Sequence, residues 1–465
     1  MVNILLIHSD QHRYDCLGVN GHALVQTPHL DQLAAEGSNF THAFCPIPLC
    51  TPARASLLTG MWPTQHGTLA NPDTELTTPL STDLPTFSQA LKTAGYSLGY
   101  VGKWHVDAQK PPTDFGFDHY IPETDYTTWR QQQGLPPRTR QNGWFGETDP
   151  TTPAESSRLA WGANATIRLL QAAVQQEQPF FIRWDPSEPH LPNVVPEPYA
   201  SLYPPESVPP WPSFPDPLGG KPYIQHQQRH TWGIETWDWT DWSPIVARYL
   251  GEITLLDQQI GRLLATLEEL NLAQNTLVIY TSDHGDMCGA HGMIDKHYVM
   301  YDDVVRVPLI MRWPGVIPAG ITQPAFVSSA IDLAATFCAA AGISAPATFA
   351  GQDLLSLVTG ATVESSRTDI FVTYHGNQLG LYSQRMVRNH KWKYIWNATA
   401  EDELYDLEAD PAEMVNVVGK AEHGSLLQQL RQRLISWMEA VDDPLLNPWI
   451  KQQLLTGNIY NGVAA

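Results

Sequence analysis

Apolar residues along the chain follow two alternating patterns, which predict alternating strands and helices. Short runs of consecutive apolar residues are typical of strands that are buried on both faces. Apolar residues spaced three and four apart predict amphipathic helices, and 248–270 (RYLGEITLLDQQIGRLLATLEEL) is the clearest example. This alternation indicates an α/β fold in which helices cover a large, mainly parallel sheet. The predicted strands are 3–7, 97–102, 180–184, 276–282 and 308–313.

Cys50 lies where a proline-rich segment leads into a short helical pattern, in PIPLCTPARASLLTG (46–60). Pro52 suits the first turn of a helix, and the apolar period after it ends at Gly60. Free N–H groups at a helix N-terminus favour anions and lower the pKa of a thiol. A buried, unreactive cysteine is the simpler alternative. The pattern favours a reactive position for Cys50.

The segment 189–244 differs in composition, because proline, tryptophan and tyrosine dominate it. We expect it to lack regular elements and to cover a functional site with rigid aromatic surfaces. A structural flap or a contact between subunits of a homo-oligomer is an equally open interpretation.

The last hundred residues predict a smaller α+β domain. Residues 384–397 alternate like the strands of a hairpin, 402–416 predict a turn with a helix start, and 425–441 predict an amphipathic helix. We therefore expect a catalytic domain at 1–360, which includes the segment 189–244, and a C-terminal α+β domain at 361–465.

Charge and composition exclude several classes of protein. The chain has 465 residues, and 43% of them are hydrophobic, so it can form a substantial core. Its formal charge is −21, from 27 basic and 48 acidic residues, which argues against nucleic acid and against an anionic membrane as partners. An anionic substrate must therefore be attracted by a local cluster of cations, including a metal ion.

The cysteine pattern and the N-terminus indicate a cytoplasmic protein. The five cysteines contain no Cys-x-x-Cys pair, so a disulfide framework is not expected. The first residues, MVNILLIHSD, are too short and uncharged for a signal peptide and lead directly into a strand. No run of apolar residues reaches the length of a membrane span.

Polar side chains follow four of the predicted strands, at the ends where functional groups gather in open α/β sheets. These strands lie far apart in the sequence, yet their carboxyl ends would meet at one edge of the sheet. The residues are Asp10 and Gln11, Lys103 and His105, His190, and Asp283 and His284.

Four of these residues offer donors for a divalent cation. Asp10, Gln11, Asp283 and His284 supply mainly oxygen ligands, which suit Ca²⁺ first, while the imidazole also fits Mn²⁺ or Mg²⁺. Each residue alone could instead cap a helix or form a turn. Their position at two separate strand ends favours the metal site.

Several motifs resemble those of one enzyme family. CTPAR (50–54) carries the pattern Cys-x-Pro-x-Arg, the signature of type I sulfatases. The other matching motifs, in family order, are SDQ (9–11), LLTGMWPTQHG (57–67), GKWH (102–105), PHLP (189–192), SDHGD (282–286) and YDLEADPAEMVN (405–416). Over nearly its whole length the chain is similar to formylglycine-dependent sulfatases of the alkaline phosphatase superfamily. The resemblance implies an alkaline phosphatase-like fold.

The resemblance also implies a nucleophile. In this family a formylglycine-generating maturation enzyme oxidises the signature cysteine, here Cys50, to Cα-formylglycine, whose hydrated aldehyde attacks sulfur. Residue 50 would then complete the metal ligands with Asp10, Gln11, Asp283 and His284. Arg54 would hold the formylglycine and offset its charge. Ordinary thiolate chemistry at Cys50 is the alternative.

The same resemblance implies roles for the cationic residues. Lys103 and Lys296 would bind the sulfate oxygens. His190 would contact the sulfate or protonate the leaving oxygen, and Lys296 competes with it for that proton transfer. His105 would accept the proton whose removal releases sulfate. His291, His297 and Asn71 are further candidates for sulfate or substrate contact.

Two other functions compete with sulfate ester hydrolysis. The first is a phosphonate monoester or phosphodiester hydrolase of the same superfamily. The motif GKWH (102–105) argues against it, because Lys103 and His105 suit a tightly held sulfate group. The second is a catalytically silent binding protein, against which the complete set of catalytic residue types argues. Carbohydrate, alkyl and aryl sulfates all remain open as substrates.

Overall fold

The computed structural model describes residues 1–72, 78–138, 141–176, 178–360, 367–376 and 378–456. Within these ranges no helix is both long enough and apolar enough to cross a membrane. The helices are α1 (Pro28–Ala35), α2 (Cys50–Thr59), α3 (Pro63–His66), α4 (Phe87–Thr93), α5 (Asp125–Gln132), α6 (Arg158–Ala173), α7 (Tyr223–Trp232), α8 (Trp239–Glu269), α9 (Asp302–Val305), α10 (Ser329–Ala340), α11 (Leu354–Val358), α12 (Gly424–Ala440) and α13 (Pro448–Thr456). The strands are β1 (Asn3–Ser9), β2 (Ser38–Phe40), β3 (Ala43–Phe44), β4 (Ser97–Gly102), β5 (His119–Pro122), β6 (Glu147–Asp149), β7 (Phe180–Asp185), β8 (Val194–Pro196), β9 (Thr276–Ser282), β10 (Leu309–Arg312), β11 (Ile321–Gln323), β12 (Val327–Ser328), β13 (Ile370–Gly376), β14 (Tyr382–Arg388), β15 (Trp392–Asn397) and β16 (Glu403–Asp406).

The main sheet has eight strands in the order β11-β2-β10-β9-β1-β7-β4-β5. The five strands from β9 to β5 are parallel to one another, whereas β10 runs antiparallel to both β9 and β2. In the centre, Leu5 of β1 is paired with Ile182 of β7 and with Val278 of β9. The predicted large, mainly parallel sheet is confirmed, with a mixed edge.

Helices cover both faces of this sheet, because successive side chains of β1 point to opposite sides. Ile4 and Leu6 belong to the core that includes side chains of α2 and α10. Leu5 and Ile7 belong to the core that includes side chains of α6 and α8. Every residue of β1 is buried, which explains the unbroken apolar run at 4–7 in its centre.

The segment 189–244 does contain regular elements, so the prediction that it lacks them is wrong. It holds β8, all of α7 and the first turns of α8, with Pro244 inside the helix. Asp238 caps α8 by accepting a hydrogen bond from the Thr240 N–H at 2.7 Å. Trp242 is fully buried in a cluster with Ile245 and neighbouring apolar residues. This tertiary packing outweighs the unfavourable proline.

The C-terminal part forms a second, antiparallel sheet in the order β13-β14-β15-β16. The predicted hairpin is confirmed, since Met386 of β14 is paired with Ile395 of β15. The helix start predicted in 402–416 is wrong, because 403–406 form β16 and Leu404 is paired with Tyr394. The next α-helix is α12, as predicted for 425–441. The boundary at 360 stays a prediction, and 361–366 lie outside the described residues.

Candidate active site

The carboxyl ends of neighbouring parallel strands carry the candidate residues. Asp10 follows β1, Lys103 follows β4 and Asp283 follows β9, each directly after the last residue of its strand. His190 lies in the loop after β7, and β7 itself is hydrogen-bonded to both β1 and β4. Adjacent strands therefore bring these side chains to one edge of the sheet, as the sequence predicts.

Four buried side chains form a potential metal site at this edge. The donor atoms of Asp10, Cys50, Asp283 and His284 all lie within 4.8 Å of one another. Cys50 Sγ is 3.2 Å from His284 Nε2 and 3.7 Å from Asp10 Oδ1. Two carboxylates and an imidazole are a suitable donor set for a divalent cation.

The orientation and charge of His284 also suit a cation. Its Nδ1 lies 2.9 Å from the carbonyl oxygen of Gly285, which directs Nε2 toward the cluster. Burial lowers the pKa of His284, but Asp283 and Cys50 outweigh burial and raise that pKa to about 9. The negative charge of Asp283 and Cys50 therefore favours a cation beside Nε2. A bound divalent cation would take the place of the proton on Nε2.

Cys50 differs electrostatically from every other cysteine of the chain. It is the first residue of α2, preceded by the extended Leu49. Burial raises the pKa of its thiol, but the ammonium groups of Lys296 and Lys103 outweigh burial and hold that pKa well below its usual value. Burial raises the pKa of each of the other four thiols, Cys16, Cys45, Cys288 and Cys338.

Arg54 orients the carboxylates of the cluster. Its side chain is fully buried, and its Nε donates to Asp283 Oδ2 at 3.1 Å while Nη2 donates to Asp10 Oδ2 at 2.9 Å. These bonds leave the Oδ1 atoms of both aspartates directed toward Cys50 and His284. Arg54 therefore fixes Asp10 and Asp283 through their Oδ2 atoms. The resemblance, by contrast, assigns Arg54 a contact with residue 50.

Asp185 is a site residue that sequence reasoning missed. It is the last residue of β7, fully buried, and it accepts hydrogen bonds from Arg54 Nη1 at 2.5 Å and from the Tyr100 hydroxyl at 2.9 Å. Burial raises the pKa of Asp185, but Arg183 and His8 outweigh it, so the pKa is lowered and the group stays ionised. The signal was present, since Asp185 directly follows the predicted strand 180–184.

Two lysines supply positive charge beside Cys50. Lys103 Nζ is 2.6 Å from Asp10 Oδ2, and Lys296 Nζ is 2.8 Å from His190 Nε2. Burial lowers the pKa of each lysine, but nearby carboxylates outweigh burial and raise it: Asp10 acts on Lys103, and Asp295 acts on Lys296. Both ammonium groups are therefore charged at neutral pH.

Gln11 connects the metal cluster to Lys296. Its Oε1 accepts a hydrogen bond from Lys296 Nζ at 3.0 Å, and its backbone N–H donates to Asp283 Oδ1 at 3.1 Å. Its Nε2 donates to Asp286 and, at 3.0 Å, to Asp295. These two aspartates were not predicted as site residues. The assignment of Gln11 as a metal ligand stays a prediction.

Three further candidates have contacts near the start of α2 or beside Lys296. A hydrogen bond from the His105 side chain contributes to the low pKa of Cys50, and the His105 carbonyl accepts from Thr51 Oγ1 at 2.7 Å. Asn71 Oδ1 accepts from the Thr51 N–H at 3.2 Å, beside the start of α2. His297 follows Lys296 and lies 3.2 Å from Asp295 Oδ2.

His291 belongs to a separate buried cluster. Its ring stacks on Tyr301 with centroids 3.8 Å apart, and its Nδ1 lies 2.6 Å from Asp216 Oδ2. No described contact joins this ring to Cys50 or to the metal cluster, so the structure gives no support to a sulfate contact by His291.

Comparison with known proteins identifies the family. The family model described as "Sulfatase" matches residues 2–343. The chain belongs to the sulfatase family. A second model, described as "N-sulphoglucosamine sulphohydrolase, C-terminal", matches residues 289–440 of the sulfatase. The family predicted from the motifs is therefore confirmed.

Individual relatives span nearly the whole sulfatase. It is 30% identical to "Arylsulfatase" of Clostridium perfringens, over 95% of this chain and 95% of that protein. It is 27% identical to "N-acetylglucosamine-6-O-sulfatase" of Bacteroides thetaiotaomicron, over 93% of this chain and 85% of that protein. The solved phosphonate monoester hydrolase of Agrobacterium radiobacter is 27% identical and has a TM-score of 0.82, with 96% of this chain and 97% of that chain covered. The expected alkaline phosphatase-like fold is confirmed.

Proposed function

We propose that the sulfatase hydrolyses a sulfate ester with a nucleophile that derives from Cys50. The observation that carries the proposal is the setting of Cys50, which lies at the start of α2 among two ammonium groups, two carboxylates and an imidazole. When present, formylglycine at residue 50 would supply the attacking hydroxyl, and a divalent cation would lower the pKa of that hydroxyl. Asp10, Asp283 and His284 would hold the cation, with Gln11 as the further ligand.

The lysines provide the sulfate site in this proposal. Lys103 and Lys296 are charged, and their side chains are 16% and 3% exposed, so they can bind the sulfate oxygens without competition from much water. Positive charge held in this way stabilises the negative charge that spreads over the sulfate oxygens in the transition state. Arg54 is already bonded to carboxylates, so we assign it the role of positioning Asp10 and Asp283.

The proton for the leaving oxygen is held by Lys296 in our proposal. Lys296 Nζ is a donor only, so His190 Nε2 accepts its hydrogen bond at 2.8 Å. The proton of the neutral His190 ring then lies on Nδ1, which faces the Leu191 carbonyl at 2.5 Å. His190 therefore orients Lys296 and contacts the substrate. His105, whose Nδ1 lies 3.4 Å from Oγ1 of Thr51 next to residue 50, is the base that accepts the proton when sulfate leaves.

The metal in this proposal is Ca²⁺, with Mn²⁺ and Mg²⁺ as alternatives that the imidazole of His284 also permits. The substrate is a small sulfated carbohydrate, alkyl or aryl compound. Relatives named as an arylsulfatase and as an N-acetylglucosamine-6-O-sulfatase support this range. Formation of the nucleophile requires a formylglycine-generating enzyme as a partner.

Phosphonate monoester hydrolysis is the second candidate function, because a phosphonate monoester hydrolase shares the fold at a TM-score of 0.82. A direct comparison separates the two functions. The matured enzyme is assayed with nitrophenyl sulfate, with nitrophenyl phenylphosphonate and with bis-nitrophenyl phosphate. We expect kcat/KM to be highest for the sulfate. A higher value for the phosphonate or the phosphodiester would reverse the assignment.

A further inference from the structure

A cavity of about 150 Å³ lies beside the proposed sulfate site. Lys103 and His190 line this cavity, and so do Arg138 and Arg158. The same two arginines also line a larger cavity of about 540 Å³, which extends to Tyr126. A substrate whose sulfate is bound by Lys103 can therefore extend toward both arginines.

Cationic side chains predominate in the wall of the smaller cavity, in a chain whose formal charge is −21. Three cationic side chains line it, whereas the described residues of its wall include no carboxylate. The side chains of Arg138 and Arg158 are 25% and 24% exposed, so both guanidinium groups can be reached by a ligand. Such a cavity attracts anions in spite of the repulsion from the whole molecule.

The two arginines differ in how far their charge is neutralised. Arg158 contacts Glu123 and also bonds Glu188 at 2.8 Å, so it already has two carboxylate partners. Arg138 donates to the Val194 carbonyl at 2.8 Å, and its ion pair with Asp149 is a long one, 3.8 Å from Nε to Oδ2. That Asp149 oxygen also accepts from Thr152 Oγ1 at 2.6 Å. Arg138 therefore retains positive charge that a ligand could neutralise.

We propose that Arg138 binds a second anionic group of the substrate, a carboxylate or a second sulfate. This inference rests on the proposed function, and it narrows the substrate to sulfate esters with two anionic groups. The sulfate to be cleaved binds Lys103 and Lys296, and the second anion forms a charge-assisted hydrogen bond with Arg138. Trp144, which lines the same cavity and is 52% exposed, offers a flat surface for a ring between the two anions.

The test compares ligands that differ in one charge. Phenyl sulfate with a carboxylate in the para position is compared with its methyl ester, and 1,4-phenylene bis-sulfate tests a second sulfate. Binding is measured by calorimetry in Cys50→Ser, which cannot turn over, and kcat/KM is measured in the matured enzyme. We expect each dianion to bind roughly 10- to 100-fold more tightly than the methyl ester, as a charge-assisted hydrogen bond allows.

Variants then assign the effect to one side chain. Arg138→Gln should remove the preference for dianions and leave binding of the methyl ester unchanged. Arg168→Gln is the matched control, because Arg168 is exposed on α6 and its loss changes the net charge equally. Equal affinities for ester and dianion, or a preference that survives Arg138→Gln, would overturn the inference. Failure to hydrolyse any sulfate ester would refute the proposed function, while the calorimetric comparison still decides the role of Arg138.

Discussion

At the scale of single residues, the site depends on how Arg54 shares its hydrogen bonds among three carboxylates. Asp10 and Asp283 also belong to the potential metal site, whereas Asp185 does not. Asp185 would therefore act on a bound metal through Arg54, as a positioning residue. Outer residues of this kind set the orientation and the charge of the inner ligands.

Asp185→Asn should weaken metal binding and lower kcat, each by about 10- to 100-fold, because Arg54 loses its anchor and turns toward the metal ligands. Metal affinity is measured by titration and kcat with an aryl sulfate. Asp332→Asn serves as the control, since Asp332 is a buried carboxylate that pairs with Arg367 outside the site. Unchanged metal affinity in Asp185→Asn would contradict the positioning role.

His105→Ala should separate release of the alcohol from release of sulfate. The lysines and the metal ligands are untouched, so one equivalent of alcohol should appear in a burst, after which turnover slows by about 10²- to 10⁴-fold. Lys296→Ala should show no burst, because it lacks a sulfate-binding cation and the proposed proton donor. Rapid-quench measurement with an aryl sulfate distinguishes the two variants. If the His105→Ala enzyme showed no burst, His105 would not be the base for release of sulfate and would instead be assigned to sulfate binding.

At the scale of elements, α8 supports α1 through one carboxylate. Asp257 of α8 accepts hydrogen bonds from the N–H groups of Leu30, at 2.8 Å, and His29, at 3.2 Å, in the first turn of α1. These groups would otherwise lack partners at the helix N-terminus. Burial nevertheless outweighs the hydrogen bonds and raises the pKa of Asp257 to about 7.

The raised pKa predicts that Asp257 makes the protein less stable as pH rises. The folded state holds the proton up to about pH 7, and the unfolded state releases it near the ordinary aspartate pKa of 3.8. The free energy of unfolding therefore falls as pH rises between these two values, by about 1.4 kcal/mol for each pH unit. Urea unfolding from pH 4 to pH 8 should show a smaller loss for Asp257→Asn than for the wild type. If the unfolding free energies of the wild type and Asp257→Asn changed in parallel with pH, the pH dependence could not be assigned to Asp257.

Elements were predictable where burial alone determines them. The strand at 276–282 is an apolar run buried on both faces, and its predicted bounds equal those of β9. Errors arose where distant contacts decide the structure. Leu404 lies in a strand because it pairs with Tyr394 of β15, and Pro244 lies in a helix whose Trp242 is buried in a cluster with Leu191 and Ile294. The local pattern around Leu404 and Pro244 does not reveal these contacts.

At the scale of the whole molecule, the potential metal site joins three separate parts of the fold. Its donors come from the end of β1, the start of α2 and the end of β9. The strand-end rule predicted the aspartates and His284, whereas no sequence pattern indicates that Arg138 lines a cavity beside Lys103. That juxtaposition depends on the path of a loop between distant elements.

Because the cation would bind only the folded arrangement, it should stabilise the whole protein. Addition of Ca²⁺ at about 100 times its Kd to metal-free protein should increase the free energy of unfolding by about 2.7 kcal/mol and raise Tm. Asp283→Asn should abolish this increase. Calorimetry with Ca²⁺, Mn²⁺ and Mg²⁺ in turn ranks the three metals. A Tm that none of them changes would contradict a metal site at these residues.

The central claim is that the nucleophile derives from Cys50, and one measurement tests it most directly. Preparations are made with increasing amounts of a formylglycine-generating enzyme, and peptide mass gives the fraction of residue 50 that is converted in each. Turnover of nitrophenyl sulfate is then plotted against that fraction. Our account predicts a straight line through the origin. Full activity in the unconverted thiol form, or activity that does not change with the converted fraction, would contradict it.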